Sequence, residues 1–224
     1  MESWLKAALN YVPEWLQFQM QLTEQPGCVV AVASNGRIVL EEAFGFANIA
    51  TRRKLTARHR FRIASHSKTF TAAAVLKLCE EGLLRTDDSA GLYVRGLHPV
   101  VAEIKISQLL SHSGGLTRDG YDAPYWQARR PFLREKELRM ALREPPTIEA
   151  GTRFKYSNHG FGLIGLIIES VSGESYSDYV QRVIVESSKL QETQADGPAP
   201  PKVQTAQGHT RKMPLGYRVI VPGE

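Results

Sequence analysis

Cysteine is nearly absent: the 224 residues contain two, Cys28 and Cys79. Both sit in apolar runs and read as buried thiols, and no disulfide framework or metal spacing includes them. No apolar run is long enough to cross a bilayer, so no membrane span is expected. Six histidines are scattered without ligand spacing, and there is no His-Glu-x-x-His. Metal and cofactor are therefore both expected to be none. A phosphate loop, a dinucleotide fingerprint and a Gly-x-Ser-x-Gly elbow are all missing, which argues against nucleotide enzymes and ordinary α/β-hydrolases. There are no internal repeats and no low-complexity tract. The N-terminus, Met-Glu-Ser-Trp-Leu-Lys, has no basic stretch followed by an apolar core. A cytoplasmic location is expected, or a periplasmic one for a processed form.

What remains is a globular composition, 42% hydrophobic and 23% charged, which is long enough to bury a sizeable core. The net charge is +5, and the basic residues are densest at Arg52, Arg53, Lys54, Arg58, Arg60 and Arg62. Nucleic-acid binding is one reading of that stretch. A solvated loop and strand face is preferred, because no aromatic-studded groove or nucleic-acid motif accompanies the charge.

In chain order, residues 2 to 22 have helical apolar spacing, with Pro13 expected to kink or restart the helix. Cys28 to Ala33 and Arg37 to Glu42 flank Asn35-Gly36, a hairpin signature. A buried helix is expected from just after Ser65 to a stop at Gly82, with Ser65 as its cap. Ile106 to Ser111 and Glu135 to Arg143 are short helix candidates. Residues 117 to 133 form a loop rich in Tyr, Trp, Arg and Pro. Gly160 to Val171 is a strongly apolar helix stopped by Gly173, and Tyr176 to Glu186 is a further amphipathic one. From Glu192 the chain is rich in Pro, Gly and Gln, with a weak strand-like run at Tyr217 to Val221.

Chemistry enters at Ser65 and Lys68, three apart and on one face of a first helical turn. A serine hydroxyl is a weak nucleophile, and a lysine amine left neutral by its surroundings can serve as its base. Spacing alone is weak evidence, since Ser3 and Lys6 share it in an exposed terminal helix. Tyr156-Ser157-Asn158 precedes a buried helix. There Tyr156 can pass protons, and Asn158 can hold a substrate amide or steady the lysine. His112 is a further candidate at the site. A general base and a hydrogen-bonded, turn-shaping histidine are the two readings, and the second is preferred.

Three stretches in order, Phe61-Arg-Ile-Ala-Ser-His-Ser-Lys68, Leu109-Leu-Ser-His-Ser-Gly-Gly-Leu116 and Phe154-Lys-Tyr-Ser-Asn-His-Gly-Phe161, resemble the serine β-lactamase-related family. That family includes class C β-lactamases, penicillin-binding DD-peptidases, carboxylesterases and D-amino-acid amidases. Gly82-Leu-Leu-Arg-Thr-Asp-Asp88 and Ile167-Ile-Glu-Ser-Val-Ser-Gly173 extend the likeness over roughly residues 20 to 210. The resemblance implies an α/β (α+β) domain over residues 1–224, an antiparallel sheet with flanking helices plus a helical subdomain. A helix and hairpin would occupy 1–64, a mainly helical region with the active site 65–190, and an irregular tail 191–224.

It further implies Ser65 as acylated nucleophile, Lys68 as base partner and Tyr156 as proton shuttle. Asn158 would contact lysine or substrate, His112 is expected with it among the substrate-binding residues, and the Ser65 amide would form half of an oxyanion hole. The substrate would be a small molecule or peptide with an ester, amide or β-lactam carbonyl. An esterase or DD-peptidase-like hydrolase is favoured over a dedicated β-lactamase, because no leader is seen. The family's third motif, Lys-Thr-Gly or His-x-Gly on a later strand, is not found; His112-Ser-Gly matches by letters in the wrong place. The chain is therefore expected to correspond to the N-terminal two-thirds of such an enzyme, without its C-terminal strands. The rival expectation is a catalytically silent binding protein, or one that needs those strands or a partner.

Overall fold

The computed structural model describes residues 3–119, 134–197, 203–209 and, for backbone alone, 220–221. The stretch 120–133 and residues 217–219 of the strand-like run lie outside the described residues. The chain forms two compact units, Met1–Arg62 with Gly197–Glu224, and Ile63–Asp196.

In the first unit, helix α1 runs over Ser3–Leu22 as one element with Pro13 inside it, so the proline neither ends nor restarts the helix. Strands β1 (Gly27–Ser34) and β2 (Arg37–Asn48) form the antiparallel hairpin, and β3 (Arg53–Lys54) pairs with the far end of β2. Asn35 and Gly36 both have positive φ, 50° and 74°. That is the turn whose twist matches two antiparallel strands, and it explains why Asn-Gly marks the place. The register shifts by one residue between Val32 and Ala33. Residues 204–207 return to this unit: Arg60 and Ala47 exchange backbone hydrogen bonds with Gln204, Ala206 and Gln207 at 2.7–2.9 Å. Strands β4 (Gly208–His209) and β5 (Ile220–Val221) pair with each other.

The second unit is helical. It contains α2 (Ser67–Glu80), the short α3 (Pro99–Ala102), α4 (Ile106–Leu110) and α5 (Glu135–Ala141), then α6 (Asn158–Ser172) and α7 (Tyr176–Val180). The expected Tyr176–Glu186 helix is α-helical only as far as Val180, after which Gln181–Glu186 forms a wider π turn. Gly82 stops α2 through paired bonds, Leu83 N to Leu78 O and Gly82 N to Cys79 O, both 3.0 Å.

The core of this unit joins Ala74, Val75 and Leu78 of α2 to Leu163, Ile164, Ile167 and Ile168 of α6, with Ile106 and Leu109 of α4 against them. Each large apolar side chain buried there contributes about 1.5–3 kcal/mol. Burial of α2 is one-sided, since Leu76 remains 55% exposed. The helix expected to be buried inside the domain therefore keeps one face at the surface. Both cysteines are free and half-buried.

The feature that positions the site is a seam between residues 112–118 and 147–158. Thr147 N and Ile148 N donate to Gly115 O, Gly151 N to Ser113 O, Lys155 N to His112 O, and Asn158 N to Arg118 O, at 2.7–3.3 Å. Gly115 holds φ +74°, and a Cβ there would collide with Ile148 O. Gly115→Ala therefore meets both backbone strain, about 1–3 kcal/mol, and a clash with backbone. In urea denaturation it is expected to lose at least that much stability. Ile167→Ala is expected to lose about 2–5 kcal/mol, and the exposed Leu76→Ala no more than about 0.5 kcal/mol.

Candidate active site

Ser65 lies in a 3₁₀ turn over Ala64–His66, and α2 begins two residues later at Ser67. It is not the helix cap that its sequence position implied: the cap position falls on His66, with no side-chain capping bond. A capping serine needs extended backbone immediately before the first helical residue. Here the chain enters through Ala64 at φ +46°, a left-handed conformation uncommon for a residue with a Cβ. The Ser65 hydroxyl is thereby left for other partners and stays exposed.

Those partners converge. Ser65 Oγ is 2.7 Å from the Tyr156 hydroxyl. Lys68, one turn along, donates from Nζ to Ser65 Oγ at 3.4 Å and to Asn158 Oδ1 at 2.7 Å. Its ammonium also stands 5.0 Å from the centre of the Tyr156 ring and 5.4 Å from that of Phe161. Asn158 is the first residue of α6, capped by Ser157, whose Oγ accepts from Gly160 N at 2.9 Å. The same hydroxyl donates to Thr117 O at 2.7 Å, which fixes the start of α6 to the seam. Four of the sequence candidates, Ser65, Lys68, Tyr156 and Asn158, thus form one connected cluster.

His112 sits behind the cluster. Its ring lies 4.4 Å from the Tyr156 ring, 5.0 Å from Phe161 and 5.7 Å from Phe154. Nδ1 accepts from Ser157 N at 3.2 Å. Burial, aided by the nearby Lys68 charge, holds the imidazole below its ordinary pKa. A neutral ring with Nδ1 engaged in this way braces the segment that carries Tyr156. The backbone of His112 itself is left-handed, φ +58°.

For Tyr156, burial pushes the phenol up. Hydrogen bonds from Lys68 and Ser65 and the charges of Lys68 and Arg118 outweigh it, so the net shift is downward. Arg118 and Asp119 are the residues that sequence reasoning passed over. The Arg118 guanidinium is 5.6 Å from the Tyr156 ring centre, and its Nε pairs with Asp119 Oδ2 at 3.0 Å. Asp119 Oδ1 in turn accepts from Asn158 Nδ2. A lone Arg-Asp pair in a polar loop has no periodicity or motif to mark it.

A serine hydroxyl within hydrogen-bond reach of a downshifted phenol and a lysine is an arrangement for nucleophilic attack on a carbonyl. A family model described as Beta-lactamase matches residues 16–223. Penicillin-binding protein 4* of Bacillus subtilis (strain 168) is 30% identical over 167 residues, covering 73% of this chain and 37% of that protein. Two solved structures share the fold. The octameric penicillin-binding protein homologue from Pyrococcus abyssi has a TM-score of 0.78 at 26% identity, over 96% of this chain and 50% of that one. A class C beta lactamase from Rhodobacter sphaeroides has a TM-score of 0.75 at 28% identity, over 92% and 56%. This chain thus spans between about a third and just over half of the length of these relatives. With the mixed antiparallel-sheet and helix architecture, the matched residues and the shared fold in agreement, the chain belongs to the β-lactamase family.

Proposed function

We propose that the chain is the serine-nucleophile portion of a hydrolase that works through a covalent acyl-enzyme. The observation that carries this reading is the 2.7 Å contact between Ser65 Oγ and the Tyr156 hydroxyl, with Lys68 held beside both. Lys68 and Tyr156 are the two groups beside Ser65 that can take its proton. The Ser65 proton passes to that pair as Oγ bonds to the substrate carbonyl carbon. When the tetrahedral intermediate collapses, the bond to the leaving group breaks and Tyr156 delivers the proton to it. Water then attacks the acyl carbon by the reverse sequence and frees Ser65. The N-terminal end of α2 and the Ser65 backbone amide favour the negative oxygen formed in each step.

The substrates best suited are small molecules or peptides with an ester, amide or β-lactam carbonyl, with an ester or a D-alanyl peptide placed first. Names among the relatives support this class: a penicillin-binding protein and a class C beta lactamase. A second reading is favoured by one specific observation. Among the described residues, β1 pairs only with β2, so the outer edge of this eight-residue strand carries no further strand. In that reading the chain binds substrate but needs further strands, or a partner, to turn it over.

Intact mass after incubation with a penicillin and, separately, with an activated short-chain ester is expected to show an adduct that maps to Ser65. Ser65→Ala removes it with the fold retained, whereas Ser3→Ala, with the same spacing to Lys6, leaves it in place; an adduct surviving in Ser65→Ala would end the proposal. If labelling appears only in a chain extended to the relatives' length, the second reading holds. Tyr156→Phe is expected to slow acylation about 10²–10⁴-fold. The phenol itself can be followed by ultraviolet titration, as the difference between the wild type and Tyr156→Phe. Lys68→Met removes the donor and charge that oppose burial, so the Tyr156 midpoint is expected to move to higher pH. An unmoved midpoint would separate Lys68 from the phenol.

A further inference from the structure

We propose that Asp119 is a positioning residue that locks the side-chain amide of Asn158, so that its oxygen always faces Lys68 and the lysine lone pair is kept for Ser65. The proposal rests on the acyl-enzyme reading of the site and concerns a residue outside the motifs that define it.

The amide of Asn158 has one acceptor end and one donor end. Oδ1 takes the hydrogen bond from Lys68 Nζ at 2.7 Å, and Nδ2 donates to Asp119 Oδ1. A flipped amide would set its NH₂ against the lysine and its carbonyl oxygen against the carboxylate. While Lys68 is an ammonium, both contacts of the flipped form are repulsive. In the base step the amine carries a lone pair, and that lone pair can accept from a flipped NH₂. The flip would then occupy the electron pair on which removal of the Ser65 proton depends. At that moment the carboxylate of Asp119 still opposes it, because an ionised carboxylate accepts and cannot donate.

The placement of Asp119 is fixed by backbone. Three successive residues meet the start of α6: Thr117 O accepts from Ser157 Oγ at 2.7 Å, Arg118 O accepts from Asn158 N at 2.9 Å, and Asp119 reaches the Asn158 amide. The Asp119 side chain is 14% exposed, and its other oxygen pairs with Arg118 Nε at 3.0 Å. Arg118 thus orients the carboxylate as the carboxylate orients the amide. A hydrogen bond to an ionised acceptor in a half-buried setting is about twice as strong as a neutral one, enough to hold one amide orientation.

The first test needs no activity. Solvent exchange of the Asn158 side-chain amide protons, read by nitrogen-15 NMR on the full chain, is expected to become about tenfold faster in Asp119→Ala. Asp119→Asn, whose oxygen can still accept, is expected to restore most of the protection. With an activated ester as probe, Asp119→Ala is expected to lower the acylation rate about tenfold without changing apparent ester binding, and Asp119→Asn, whose NH₂ can donate to a flipped Asn158 amide, is expected to protect the amide protons without recovering the rate. Because Asp119 acts through Asn158, the double variant Asp119→Ala/Asn158→Ala is expected to acylate no more slowly than Asn158→Ala alone. Unchanged amide exchange in Asp119→Ala overturns the proposal, and so do additive losses in the double variant. Amide protons that lose protection in Asp119→Ala, in a chain that acylates with no probe at this or the relatives' length, would confirm the lock while removing the hydrolase reading.

Discussion

The hydrogen bond from Lys68 Nζ to Asn158 Oδ1, 2.7 Å long, ties the beginning of α2 to the beginning of α6. Everything else in the candidate site is arranged about it. The apolar packing of Ala74, Val75 and Leu78 against Leu163, Ile164 and Ile167 holds the two helices side by side. Their N-terminal ends are thereby brought within reach of one side-chain pair. The packing is unspecific in chemistry but strict in distance, and the polar contact uses that distance. Ser65, one turn before Lys68, and Tyr156, two residues before Asn158, are carried to within 2.7 Å of each other by the same construction.

A second constraint is the seam that fastens residues 112–118 to 147–158. Its backbone hydrogen bonds satisfy polar groups in segments with no regular structure of their own. Two left-handed residues lie within it, His112 at φ +58° and Gly115 at φ +74°, and the carbonyls of both accept hydrogen bonds of the seam. The His112 ring lies 4.4 Å from the Tyr156 ring, and its Nδ1 accepts from Ser157 N.

Much of the site is legible in the amino-acid sequence because its motifs are local. Ser65 and Lys68 are three apart at a helix start, so a short-range rule places that pair on one side, and Tyr156 and Asn158 flank the serine that caps α6. Arg118 and Asp119 are not legible in the same way. Their partners are the Tyr156 ring and the Asn158 amide, about forty residues further on. No spacing rule links two segments whose register is set by a seam.

The sequence by itself determined the hairpin at Asn35-Gly36, because both turn residues tolerate positive φ. It also determined helices α2 and α6 with their stops at Gly82 and Gly173, and the candidacy of Ser65, Lys68, Tyr156 and Asn158. Only the tertiary structure decided that Ser65 is not a cap, that Pro13 leaves α1 unbroken, and that the last helix widens into a π turn after Val180. It alone decided that α2 is buried on one side and that Asp119 meets Asn158. The division has one physical reason. Turn and helix-stop preferences are energies of a few neighbouring residues, whereas a cap, a buried face or an amide orientation is fixed by groups brought together only when the helices pack.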